Sequence, residues 1–183
     1  AGRLCLRPGR KSAKLLIPSP RPLQNNLTTA HGRDTALTTQ EITDYLRTEL
    51  PLTAAMGISV SGWNGVTLSL AAPLAPNLNH TDTAFGGSIA TLGILAGYTL
   101  LFLALREREI SNRLLIQRSE VDFLRPIDTD ITAAATLPET TALETFFETI
   151  TRRRRARLSL ASEIRSGATL AATHLGLYVA ILY

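Results

Sequence analysis

The chain has 183 residues, enough for one domain with its own core and too few for two. Hydrophobic residues make up 45% and charged residues 19%, which excludes a largely disordered chain, and the one cysteine, Cys5, excludes an internal disulfide framework or a Cys-based metal cluster. The net charge of +4 is unevenly placed: residues 1–33 carry seven Lys/Arg and no acid, leaving the remainder at −3, so the basic balance does not argue for nucleic acid as a partner.

Residues 1–35 form a basic stretch with Pro8, Pro18, Pro20 and Pro22 and no sustained apolar period. Such a segment buries too little surface to offset its ordering entropy and is expected to be a flexible extension. Its acid-free, Arg-containing start also fits an organelle transit peptide, although Arg-Pro pairs spoil an amphipathic helix. The folded domain is expected over residues 36–183. It opens with Thr38-Thr39-Gln40-Glu41, a capping box, followed by Ile42, Tyr45, Leu46 and Leu50 at helical spacing, with Pro51 as the stop. Two short strands, from Met56 to Gly62 and from Val66 to Ala71, flank Asn64-Gly65, a strong hairpin signal.

Ala84 to Leu105 are 22 residues without a charge, so a transmembrane helix and a central buried helix both fit. Gly86, Ala90, Gly93 and Gly97 form one stripe of small residues, which lets a sheet approach the backbone, and the alternating segments around the helix supply that sheet. The expectation is therefore a wrapped helix and no membrane partner. Downstream, Leu114 to Leu124 alternates, with Arg118, Glu120 and Asp122 on one face and Leu115, Gln117, Ser119, Val121 and Phe123 on the other. A strand from Ile131 to Leu137, a helix from Thr141 to Thr151, a strand through Ala156, Leu158 and Leu160, a turn at Ser166-Gly167 and a final strand from Leu170 to Leu182 complete the pattern. The order predicts an α+β domain in which an antiparallel sheet curves around one long helix.

The segment Asn77-Leu78-Asn79-His80-Thr81-Asp82-Thr83-Ala84-Phe85-Gly86-Gly87-Ser88 resembles the N-x-x-G-T-x-x-G-G opening of the central helix in hot-dog fold thioesterases, most closely the yiiD C-terminal type. Ile116 to Glu120, Phe123 to Pro126, Arg155 to Leu158 and Tyr178 to Ala180 extend the similarity over roughly residues 38–183. The resemblance implies a hot-dog fold and a homodimer or dimer of dimers with pockets at the subunit boundary. It also implies acyl-CoA or acyl-carrier thioester substrates and no metal or redox cofactor. A cytoplasmic location goes with such substrates. Hot-dog domains also include non-catalytic relatives, so an acyl-CoA-binding protein without turnover is the alternative.

Thioester hydrolysis needs a polarised carbonyl and a placed water. The amides of Gly86 and Gly87, at a helix start, suit a developing oxyanion, and the same glycines also suit mere entry into a crowded sheet. Asn79 matches the asparagine that orients water or carbonyl in related thioesterases, and an Asx turn is its ordinary loop role. Ser119 and Gln117, placed on the apolar face, are candidate pocket contacts. The chain departs from the family over the base: Ala90 to Ala96 holds no carboxylate, Phe85 replaces a common histidine and Asp82 a usual glycine. Asp82 or His80 could serve instead, or both are solvated loop residues. His80, Phe85, Ser88 and Gln117 are candidate substrate contacts, as are Arg152 and Arg153, whose run through Arg155 suits coenzyme A phosphates or a helix C-terminal cap. Gly87-Ser88 has no partnered histidine, against a serine-hydrolase nucleophile there. His31, His80 and His174 lack metal-ligand spacing, and His174 reads as a structural mid-strand residue.

Overall fold

The computed structural model describes residues 37–183, so the extension expected over residues 1–35 lies outside the described residues. Helix α1 (Thr39–Glu49) begins at the capping box: Glu41 N donates to Thr38 Oγ1 at 3.2 Å, and Thr38 N donates to Glu41 Oε2 at 2.8 Å. Ile42 and Leu46 on its inner face are buried. Pro51 does more than end this helix. It stands at the first position of α2 (Pro51–Ala55), where the missing amide has no intrahelical partner to lose.

Strands β1 (Ser59–Trp63) and β2 (Thr67–Ala72) form the expected hairpin. Gly65 supplies the left-handed backbone (φ +88°), and Asn64 Oδ1 accepts from the amides of Val66 and Thr67 at 3.0 and 2.7 Å. After α3 (Gly86–Glu107) come β3 (Asn112–Phe123), β4 (Ile131–Thr136), α4 (Thr140–Arg153), β5 (Arg155–Ser166) and β6 (Thr169–Leu182). The six strands make one curved antiparallel sheet in the order β1-β2-β4-β5-β6-β3, and α3 lies against it. This is the α+β arrangement the pattern predicts.

Helix α3 has a mean hydropathy of 2.0, and 67% of its apolar window is buried by the protein's own chain. Leu92, Leu100, Leu101 and Leu105 are fully buried, each contributing roughly 1.5–3 kcal/mol relative to exposure. The small-residue stripe faces the sheet. A Cβ on Gly93 would lie 2.9 Å from His174 Cβ, and one on Gly97 would lie 2.5 Å from the Tyr178 hydroxyl. Two hydroxyls then bond the helix backbone at that level, Ser162 Oγ to the Gly93 carbonyl at 2.9 Å and Tyr178 OH to the Ile94 carbonyl at 2.8 Å. Burial pushes the Tyr178 phenol above its ordinary pKa, so the hydroxyl stays a donor.

One local feature overturns the expected face of β3. Ile116 pairs with Tyr178 but Arg118 pairs with Leu177, so Gln117 is a bulge and the alternation changes phase there. Ser119, Val121 and Phe123 face α3 as expected, joined by Leu114 and Ile116. Leu115 and Gln117 do not share that face.

The sheet's two outer strands end differently. The free side of β1 is covered by α1, with Val60 N donating to Thr43 Oγ1 at 2.9 Å and Arg47 Nε donating to the Ile58 carbonyl at 3.3 Å. Among the described residues, the free side of β3 is paired with no strand.

Candidate functional site

The loop before α3 is built from two asparagines. Asn77, buried at the end of a short 3-10 turn (Ala75–Asn77), donates through Nδ2 to the carbonyls of Met56 at 2.9 Å and Pro73 at 2.8 Å. Its own carbonyl accepts from Phe85 N at 2.7 Å, which fixes where the helix begins. Asn79 closes the loop: Oδ1 accepts from Thr81 N at 2.7 Å and Thr81 Oγ1 at 2.8 Å, while Nδ2 donates to Thr83 Oγ1 at 2.9 Å. Nδ2 also donates to the Ala84 carbonyl at 3.4 Å, so both ends of this carboxamide are spent within residues 79–84 and Asn79 shapes the loop as an Asx turn. His80 and Asp82 are exposed on that loop, and Asp82 sits in left-handed backbone (φ +59°), the conformation that makes glycine usual there.

Phe85 is the N-cap of α3, and among the described residues no side chain caps the helix. The helical ladder starts with Ile89 N donating to the Phe85 carbonyl at 3.1 Å. The amides of Gly86, Gly87 and Ser88 therefore precede the first i→i−4 bond and carry the positive end of the helix dipole. Two half-exposed rings frame this turn. The Phe85 ring lies where a Gly87 Cβ would be, at 2.3 Å, and the Phe123 ring passes 3.5 Å from the Cβ position of Gly86. Glycine at both positions thus admits aromatic walls against bare helix amides. This arrangement can hold a developing negative charge beside an apolar chain.

Two turns further along, Ser119 Oγ lies 3.0 Å from His174 Nε2. Register explains the meeting: β3 and β6 pair Val121 with His174 and Ser119 with Gly176 on the α3-facing side. His174 is only 2% exposed, its Nδ1 has no hydrogen-bond partner, and burial holds its pKa below the ordinary imidazole value. The reading of His174 as a structural mid-strand residue missed this pairing. The available signal was its place in the α3-facing phase of β6, level with the side-chain-free Gly93.

Other candidates lie elsewhere. Gln117, outward at the bulge, accepts from Arg157 Nε at 2.8 Å on the opposite face of the sheet. Arg152 lines an open groove of about 410 Å³ with Arg108, Ile110, Glu144, Phe147, Glu148 and Thr151. Arg108 is the C-cap of α3, so this groove is a helix length of about 33 Å from Gly86 at 1.5 Å per residue. Arg153, in the last turn of α4, is exposed. Within one chain neither arginine joins the α3 opening.

Comparison with known proteins gives the site a context. A family profile described as "Putative thioesterase (yiiD_Cterm)" matches residues 39–182. A Chlorobaculum tepidum protein of unknown function is 26% identical and superposes with a TM-score of 0.76 over 79% of this chain and 94% of its own. A Shewanella oneidensis protein named as a putative thioesterase shares 24% identity, with a TM-score of 0.68 over 78% of this chain and 96% of its own. A Pseudomonas aeruginosa protein named as a probable thioesterase shares 21%, with a TM-score of 0.70 over 80% and 97%. At these last two identities the likeness speaks to the fold.

Proposed function

The chain belongs to the yiiD C-terminal thioesterase family and has the hot-dog fold, and from that premise we propose that it hydrolyses acyl thioesters of coenzyme A or an acyl carrier. The observation that carries this reading is the uncapped opening turn of α3, set between the rings of Phe85 and Phe123. The thioester carbonyl oxygen accepts from the amides of Gly86 and Gly87, the acyl chain lies against the aromatic walls, and Ser88 and His80 line the approach. As a nucleophile adds to the carbonyl carbon, negative charge grows on the oxygen the helix end already favours. Collapse of the tetrahedral intermediate breaks the C–S bond and releases free thiol, and the overall hydrolysis leaves a carboxylic acid. Asn79 contributes through the loop it closes. A cytoplasmic reaction is part of the same proposal.

The catalytic unit in this reading is a dimer. The 12-residue β3 is an outer strand whose far side has no strand partner among the described residues, and it exposes Leu115, Ile116 and Phe123. Edge-to-edge pairing of two copies satisfies its backbone and brings each α3 opening to the subunit boundary.

The test is release of free thiol across short, medium and long acyl-CoA substrates. Turnover with one chain-length class supports hydrolysis. Saturable acyl-CoA binding with no thiol released at any length replaces the enzyme with a non-catalytic acyl-thioester binder. That second reading draws on the absence of a carboxylate from Ala90 to Ala96.

A further inference from the structure

We propose that Ser119 and His174 form a nucleophile–base pair, in which Ser119 takes the acyl group and His174 handles the proton. The inference rests on the thioesterase reading for its substrate and on the geometry alone for the reactivity of the serine. Ser119 Oγ is 3.0 Å from His174 Nε2, the hydrogen-bond reach a nucleophile needs from its base. The two differ in exposure as such a pair requires: Ser119 lies in the exposed edge strand, where an acyl group can reach it, whereas His174 is 2% exposed and shielded from solvent.

The place of the pair is telling. His174 Cβ lies 2.9 Å from where a Gly93 Cβ would be, so the imidazole packs over the bare backbone of the second turn of α3. The helix brings no carboxylate from Ala90 to Ala96, so a base at this level comes from β6. Among the described residues no charged group faces the ring. Ser119 and Val121 approach from β3, Ser162 pairs opposite on β5, and α3 presents Gly93. The Arg118–Glu120 and Arg165–Glu163 ion pairs lie on neighbouring strands, and Arg118, Glu120 and Glu163 point to the other face. Burial favours the neutral imidazole, and with its proton on Nδ1 the ring accepts from Ser119 at Nε2.

In the first step Ser119 Oγ bonds to the thioester carbonyl carbon while its proton passes to His174 Nε2. The C–S bond then breaks and the thiolate takes that proton, leaving an acyl-serine. Water attacks the ester carbonyl, its proton passes to His174, and the acid leaves as Ser119 regains its proton. Gly86 lies about 10 Å along α3 from Gly93, seven residues at 1.5 Å each. Within one chain the pair and the helix opening are therefore apart, and the reading requires the edge-to-edge dimer, in which Ser119 of one protomer serves a carbonyl held at the opening of the other.

An alkyl fluorophosphonate, which phosphonylates activated serines with loss of fluoride, tests the pair without any thioester. In the full chain, peptide mass spectrometry is expected to find the adduct on Ser119. Its rate should rise to a plateau with an inflection below about 6.5, the ordinary imidazole value, and fall about 100-fold or more in folded His174→Gln. No adduct on Ser119 at any pH, or an unchanged rate in His174→Gln, overturns the pair. Should His174→Gln fail to fold, Ser119→Cys gives the second measurement. Iodoacetamide alkylation at position 119 should titrate well below about 8.5, the free thiol value, and ordinary thiol titration overturns the proposal. Labelling of Ser119 with no thiol released from any acyl-CoA would remove the hydrolase reading and keep the reactive serine. Thiol release with Ser119 unlabelled would do the reverse.

Discussion

Gly86 stands at the first position of α3 behind Phe85, whose extended backbone (ψ 130°) is the conformation a following proline demands. Proline there deletes one amide donor at a position helices favour, and its Cβ meets Phe123 at 3.5 Å, an ordinary contact. Gly86→Pro should therefore keep the fold, as judged by circular dichroism, and lower kcat by about 100- to 1,000-fold if that amide serves the oxyanion. Unchanged kcat with intact helicity would take the Gly86 amide out of the reaction. His174 makes a second prediction, on stability. Burial favours its neutral form, so the unfolded chain binds the proton more readily than the folded one below the ordinary value of 6.5. The contribution is complete above that pH and drains away as pH falls toward the depressed folded value, with a slope of at most about 1.4 kcal/mol per pH unit. Urea denaturation at a series of pH values, wild type against His174→Gln, reads this one residue by difference. Parallel curves for the two proteins would mean the ring is solvated.

At the scale of elements, α3 is held by close approach. Gly97 admits the Tyr178 ring, with the hydroxyl 2.5 Å from a would-be Cβ. Gly97→Ala gains about 1 kcal/mol of helix propensity but meets an overpacking cost of about 1–3 kcal/mol in a dense interior. A net loss of about 1 kcal/mol by chemical denaturation, with an unchanged denaturant slope, is the expected result, and a net gain would show that Tyr178 swings aside. The elements with local causes were legible before any coordinates. The Thr38–Glu41 box, the Asn64-Gly65 turn and the uncharged run that became α3 each depend on residues a few positions apart. Pro51 misled only halfway, since the residue that closes one helix can open the next. The phase of β3 was not legible, because the bulge at Gln117 is set by how β6 lies alongside it. For the same reason Ser119 and His174, 55 residues apart, could not be joined by spacing. Asn79 was visible as a family position, yet the loop bonds that occupy it depend on Thr81 and Thr83 turning back toward it.

For the whole molecule, the exposed apolar residues of β3 make the quaternary prediction. Ile116 and Phe123 both lie on the α3-facing side of an unpaired strand, so a carboxylate at either would be desolvated in an edge-to-edge dimer. Ile116→Asp should convert a dimer to monomer in sedimentation velocity, leave each monomer folded and abolish thioester turnover. A monomeric wild type with full turnover would refute the shared site. The contrast between the sheet's two outer strands sets a limit on any such assembly. On the β1 side Thr43 and Arg47 already hold the Val60 amide and the Ile58 carbonyl, so a newcomer there would have to displace a helix. Among the described residues β3 is the margin left open, so two chains that meet there use up each other's free side. The same asymmetry that permits pairing works against sheets running on from one copy to the next.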